Sequence, residues 1–188
     1  MKYENIYFLG IGGIGMSALA RFFMHEGYGV AGYDLTRTAL TEKLERQGAR
    51  IHYDDDVSLI GKQFRNPETT LVVYTPAVPH DNSEMEYFSR GGFTMLKRSQ
   101  MLGRLTEGKF VMAVAGTHGK TTTTTLTAWL NHVCTGGGSA FLGGISKNFD
   151  SNLVLGAGTR MAVEADEFDR SFLRLYPDAA VVTSADAD

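Results

Sequence analysis

Cysteine is nearly absent. Cys134 is the only one in 188 residues, so no internal disulfide and no cysteine-based zinc site can form, as suits a reducing compartment. A basic surplus is also missing. Lys plus Arg number 18 against 21 Asp plus Glu, a net charge of −3, which argues against a bulk nucleic-acid binder. Proline is limited to 4 residues, and the glycines follow no Gly-X-Y period, which excludes collagen-like and low-complexity chains. No apolar run is long enough to span a bilayer. Residues 6–20 are uncharged, but they fall short of the roughly 20 needed and include five Gly or Ser. Lys2 and Glu4 cancel ahead of them, so the positive segment of a signal peptide is lacking. The expectation is a soluble, cytoplasmic protein with neither nucleic acid nor membrane as partner.

What the chain does have is glycine, 22 residues or about 12% against a usual value of roughly 7%. Apolar residues at 43% and charged residues at 21% are ordinary for a globular protein. Residues 6–9 predict a buried strand that breaks at Gly10. Met16, Leu19, Ala20 and Phe23 then recur at helical spacing. Strands are predicted at 30–33, 71–74 and 94–96, and helices around Leu40 and Leu44, at 83–89 and at 99–105. After a polar turn at 106–109 the pattern restarts. A strand at 110–115 leads through a glycine-rich turn into a helix whose apolar face is Leu126, Trp129, Leu130 and Val133. Further strands are predicted at 140–142, 161–165 and 179–183. Strands alternating with helices imply an α/β fold with open parallel sheets. The boundary is expected near residue 107: a Rossmann-like parallel-sheet domain over 1–107, then the first part of a P-loop-type α/β ATPase domain over 108–188. The chain stops directly after a strand, where such sheets place their ligands, and so reads as a fragment of a longer protein.

Two glycine loops carry the chemistry. Gly10-Ile11-Gly12-Gly13-Ile14-Gly15 has the G-x-G-x-x-G spacing between a strand and a helix, and Asp34 stands at the end of the next strand. Small residues let the backbone approach a diphosphate, and a helix N-terminus offers unpaired N–H groups. NAD is the default ligand of this pattern, although any nucleotide diphosphate meets the same geometry; the alternative is that the glycines only allow strand and helix to pack closely. The second loop, Gly116-Thr117-His118-Gly119-Lys120-Thr121-Thr122, ends like a phosphate loop, in which Lys meets the terminal phosphates and the hydroxyl holds Mg²⁺. The general pattern would put its first glycine at 114, which is Val114. Beyond these, Glu164, Asp166, Glu167 and Asp169 gather carboxylates at a strand end. Mg²⁺ takes one or two such ligands plus phosphates, and Glu164, at the strand terminus, is the candidate; a solvated acidic loop is the competing explanation.

Two nucleotide loops in this order resemble the Mur ligases of peptidoglycan precursor synthesis. Four blocks carry the resemblance: residues 10–17, residues 113–124, Gly143-Gly144, and residues 164–172. It implies that the first domain holds the UDP part of UDP-N-acetylmuramate, not NAD, with Gly10, Gly12, Gly13, Ile14, Gly15, Asp34 and Thr75 as candidate contacts. It implies ATP at Gly116, Thr117, His118, Gly119, Lys120, Thr121 and Thr122, with Thr121 and Glu164 as Mg²⁺ ligands and Lys120 and Glu164 as the catalytic pair. The implied reaction runs through an acyl phosphate: the muramyl carboxylate attacks the γ-phosphate, and the amine of L-alanine then displaces phosphate. The resemblance at residues 12–17 implies L-alanine, not a recycled murein tripeptide, as the incoming amine. His118 either touches a ligand or shapes its loop. The family places a third domain and a metal-binding His beyond residue 188, so this chain alone is expected to lack ligase activity. It also often carries Asn-Ile where this chain has Ser184-Ala185.

Overall fold

Residues 6–9 are apolar on both sides of the pleat, and both sides are covered. The computed structural model describes residues 2–134, 136–165 and 172–185. In it these residues form β1 (Asn5–Leu9), with Ile6, Tyr7, Phe8 and Leu9 all buried. A strand buried on two faces belongs at the centre of a parallel sheet. Around it lie β2 (Gly29–Tyr33), β3 (Arg50–His52), β4 (Thr70–Tyr74) and β5 (Thr94–Lys97), in the order β3-β2-β1-β4-β5 and all parallel. Strand order reverses between β1 and β4, the point at which such sheets open a crevice beyond their carboxyl ends.

Between the strands run α1 (Ile14–His25), α2 (Ala39–Arg46) and α3 (Ser83–Arg90). The predicted stripe Met16, Leu19, Ala20 and Phe23 is the buried side of α1, and the Phe8 and Phe23 rings lie 6.4 Å apart. On the opposite face Tyr7 and Leu9 join Tyr33, Phe64, Val72, Met85 and Phe88 in one apolar cluster.

Strand β3 was not anticipated. It is three residues long and lacks an apolar run; its pairing with Ala31, Gly32 and Tyr33 of β2 creates it. It places His52 beside a fully buried Glu84, with Nε2 2.9 Å from Glu84 Oε1 and 2.8 Å from the Tyr7 hydroxyl. Tyr7 in turn donates to Glu84 Oε2 at 2.7 Å. His52 Nδ1 faces the Asp54 carbonyl at 3.0 Å, an oxygen that only accepts. A carboxylate faces one ring nitrogen and a carbonyl the other, an arrangement that favours the doubly protonated, charged ring. Burial opposes that charge, but the contact with Glu84 and its charge outweigh it, so the His52 pKa lies above its ordinary 6.5. A raised folded-state pKa contributes stability that is complete below the unfolded value and lost as pH rises through the folded one. The melting temperature of this chain is therefore expected to fall as pH rises from 6.5 upward, and His52→Gln should flatten that slope. An equal slope in the variant would assign the pH dependence elsewhere.

Contacts divide the chain into Met1–Arg98 and Ser99–Asp188. The polar turn at 106–109 ends α4 (Arg98–Thr106), but the division falls earlier than the expected boundary near 107. Most of α4 goes with the second unit because Gly103 backs onto the chain there: a Cβ at Gly103 would lie 2.5 Å from the Arg174 carbonyl oxygen.

The second unit contains β6 (Phe110–Ala115), α5 (Lys120–Cys134), β7 (Ser139–Ser146), β8 (Ser151–Val154), β9 (Arg160–Glu164) and β10 (Ala179–Val182). The sheet order is β10-β6-β9-β7-β8, parallel except for β7 with β8. The apolar face read for α5 is placed differently from the expectation. Leu126, Trp129, Leu130 and Val133 are exposed, whereas Thr124, Ala128 and Asn131 are buried. Ala128 packs with Ala140, Leu142, Val154 and Ala162, so small residues bring this helix close to its sheet. Helical periodicity finds an apolar stripe, but it does not say on which side the sheet lies.

Candidate functional site

The chain leaves β1 into the glycine loop with its backbone tied to the next strand. The Gly10 and Ile11 N–H groups both donate to the Tyr33 carbonyl, at 2.8 and 3.1 Å, and Thr75 N–H donates to the Leu9 carbonyl at 3.3 Å. The ends of β1, β2 and β4 thus converge. Gly10, Gly12, Gly13, Ile14, Gly15, Asp34 and Thr75, all the residues assigned to the UDP substrate from sequence, line one cavity of about 400 Å³. Met16, Ala77 and Arg98 complete its wall, and sequence reasoning missed them. Arg98 carries no motif; only its position just after a sheet strand could have marked it.

Asp34 organises this loop. Its Oδ2 accepts from the Gly12 N–H at 2.7 Å and its Oδ1 from the Thr36 N–H at 3.1 Å. A second cavity of about 340 Å³ adjoins, sharing Asp34 and Ala77 and walled by Tyr33, Leu35, Val78 and Pro79 with Asp55, Asp81 and Asn82. The two cavities meet at Asp34 and Ala77 and together offer a ligand a path from the glycine loop towards Tyr33 and Pro79.

In the second unit β6 runs into the loop and Lys120 opens α5. Gly116 has φ +130°, and a Cβ there would collide with Thr183 and Ser184. Only glycine fits that turn. The segment after β10 clamps the loop: Ser184 Oγ accepts from the His118 N–H at 3.2 Å, Thr117 N–H donates to the Ser184 carbonyl at 3.4 Å, and the Thr183 hydroxyl donates to the His118 carbonyl. The departure at Ser184-Ala185 thus lies in a working contact. The His118 backbone is held while its side chain is exposed, and Thr122 is exposed beside it.

Lys120 Nζ folds back to the Gly116 carbonyl at 2.6 Å. Thr121 Oγ1 lies 2.9 Å from Glu164 Oε2 and 3.2 Å from Oε1, across from α5 to the end of β9. Glu164 Oε2 also accepts from the Gly143 N–H at 2.8 Å, and a Cβ at Gly143 would sit 2.5 Å from that carboxylate. Gly143 therefore lets Glu164 in, whereas a Cβ at Gly144 would make only an ordinary contact with Thr121. Asp166, Glu167 and Asp169 lie outside the described residues. Among the described residues no group of three or more His, Cys, Asp or Glu is placed to hold a metal. No described helix is long and apolar enough to cross a membrane.

A sequence profile described as Mur ligase family, catalytic domain, matches residues 5–110, more than half of the chain. The chain belongs to the Mur ligase family. Among its Mur ligase relatives, the UDP-N-acetylmuramate–L-alanine ligase of Phocaeicola vulgatus is 55% identical over 98% of this chain and 41% of that protein. The enzyme of the same name from Parabacteroides distasonis is 53% identical over the whole chain and again 41% of its own length. The chain thus spans about two fifths of the curated relatives it matches. The UDP-N-acetylmuramate–alanine ligase structure from Thermotoga maritima superposes with a TM-score of 0.78 at 29% identity, covering 96% of this chain and 41% of that one. A Neisseria meningitidis ligase acting on UDP-N-acetylmuramate and L-alanyl-γ-D-glutamyl-meso-diaminopimelate reaches 0.88 at 24% identity, covering 99% and 62%, a likeness of fold alone.

Proposed function

We propose that this chain carries the UDP-substrate and ATP loops of an enzyme that joins L-alanine to UDP-N-acetylmuramate in the cytoplasm. In this reading Gly10, Gly12, Gly13, Ile14, Gly15, Asp34 and Thr75 receive the UDP moiety, and residues 116–122 receive the ATP phosphates. The muramyl carboxylate is phosphorylated to an acyl phosphate, and the alanine amine displaces phosphate from it.

The observation that carries the reading is the Thr121–Glu164 oxygen pair beside Lys120 at one loop. The donor set fits Mg²⁺, which takes oxygen ligands, often one carboxylate together with phosphates. Thr121 spends its proton on Glu164 and keeps its lone pairs for the metal. Bound there, Mg²⁺ supplies charge neutralisation at the terminal phosphates. Gly143 N–H holds the carboxylate in place meanwhile. Lys120 exchanges the Gly116 carbonyl for a phosphate oxygen, a trade of a neutral acceptor for a charged one. These groups position and neutralise, which is most of what phosphoryl transfer requires. The names of the relatives, at 47–55% identity, support L-alanine as the incoming amine.

Titrating this chain with UDP-N-acetylmuramate and, separately, NADH tests the first-unit assignment. Saturable binding of the UDP sugar and none of NADH is expected. The reverse preference would return the loop to nicotinamide chemistry.

A further inference from the structure

Two formal charges of opposite sign stand at opposite ends of the first glycine loop. Asp34 covers the Gly12 end, where its Oδ2 already occupies the amide at 2.7 Å. Arg98, directly after β5 and half-buried, lies over the Gly15 end: a Cβ on Gly15 would meet its Nη1 at 2.9 Å and its Cδ at 3.0 Å. Both side chains line the same cavity, and among the described residues no other Lys or Arg lines that cavity or the one adjoining it.

An anion cannot settle at the Gly12 end, where the carboxylate repels it and uses the N–H that would bind it. Ribose hydroxyls, which can donate to a carboxylate, suit that end instead. Loop amides carry no formal charge to pair with a diphosphate, and the guanidinium at Gly15 is the cation lining the cavity. Its planar fork matches two phosphate oxygens at once. The adjoining cavity opens from Asp34, so the nucleoside end of the ligand points that way and the distal phosphate towards Gly15.

We infer that Arg98 binds the distal phosphate of the nucleotide ligand, and that Asp34 and Arg98 together fix the direction in which the ligand lies along the loop. This rests on the reading of the cavity as a UDP-sugar site. It makes Arg98 the residue that separates diphosphates from monophosphates, a role no motif assigns to it.

The test is a calorimetric titration of this 188-residue chain and its Arg98→Ala and Arg98→Lys variants with UDP and with UMP, each protein first checked by thermal melting. Wild type is expected to prefer UDP. Arg98→Ala should weaken UDP by about 10- to 100-fold, the loss of a charge-assisted bond, and UMP much less. Arg98→Lys, which keeps the charge without the fork, should fall between and serves alone if the alanine variant does not fold. Wild type that fails to bind UDP would overturn the reading of the cavity itself. Wild type that binds UDP, with variants of unchanged preference or with UDP and UMP weakened equally, would overturn the role of Arg98 and leave the cavity reading standing.

Discussion

In a full-length enzyme with the proposed activity, Lys120→Ala is expected to lower kcat by about 10²- to 10³-fold, the usual loss when one group aimed at developing charge is removed. Lys120 opens α5, and its amine lies 2.6 Å from the Gly116 carbonyl. The loop has its own restraints, since Thr183 and Ser184 hold the backbone of Thr117 and His118. Removing the amine should therefore leave melting of this chain nearly unchanged while turnover collapses. The Lys120→Arg variant should not restore the rate, because a planar fork does not fit a site shaped for a point charge. Phosphate release with ATP, Mg²⁺, UDP-N-acetylmuramate and L-alanine measures it. Near-normal turnover in Lys120→Ala would reduce residues 116–122 to a helix start.

Much of this arrangement was legible in the sequence, for identifiable reasons. Residues 6–9 are apolar throughout, which marks a central strand, and a strand broken by glycines before a helix marks a loop at its carboxyl end. That is why Gly10, Gly12, Gly13, Ile14, Gly15 and Asp34 could be placed together from pattern, with Thr75 added by the family resemblance; all of them line one cavity. What escaped was made by pairing and packing instead of pattern. β3 exists because β2 offers an edge to Arg50–His52, and β8 because it folds back on β7. The exposed stripe of α5 has the same periodicity as the buried stripe of α1; the difference lies in Ala128, which fits the sheet closely. Arg98 and Ser184 act through positions fixed by the end of a strand, and a single sequence marks such positions only weakly.

Gly12→Val in this chain is expected to weaken UDP-N-acetylmuramate binding by more than about 100-fold, and the structure shows why the effect exceeds lost space. A Cβ at Gly12 would stand 2.8 Å from Asp34 Oδ2 and 2.8 Å from Thr41 Cγ2. Real Cβ atoms essentially never come that close to a neighbouring heavy atom, so one neighbour must move. Thr41 is fully buried in α2 and joined to Thr38 in a capping box, so it resists. Asp34 is a partly exposed side chain and yields. Its displacement breaks the 2.7 Å bond from the Gly12 N–H and moves the carboxylate that shapes the ribose end of the cavity. Valine thus disrupts the loop and its acidic partner in one substitution, with a modest fall in melting temperature from the strained contact with α2. Asp34→Asn separates the two effects: it keeps the shape, loses the charge, and should weaken binding by less than Gly12→Val does. A folded Gly12→Val protein that binds the UDP sugar with wild-type affinity would show that the ligand does not use this loop, whatever else the cavity holds.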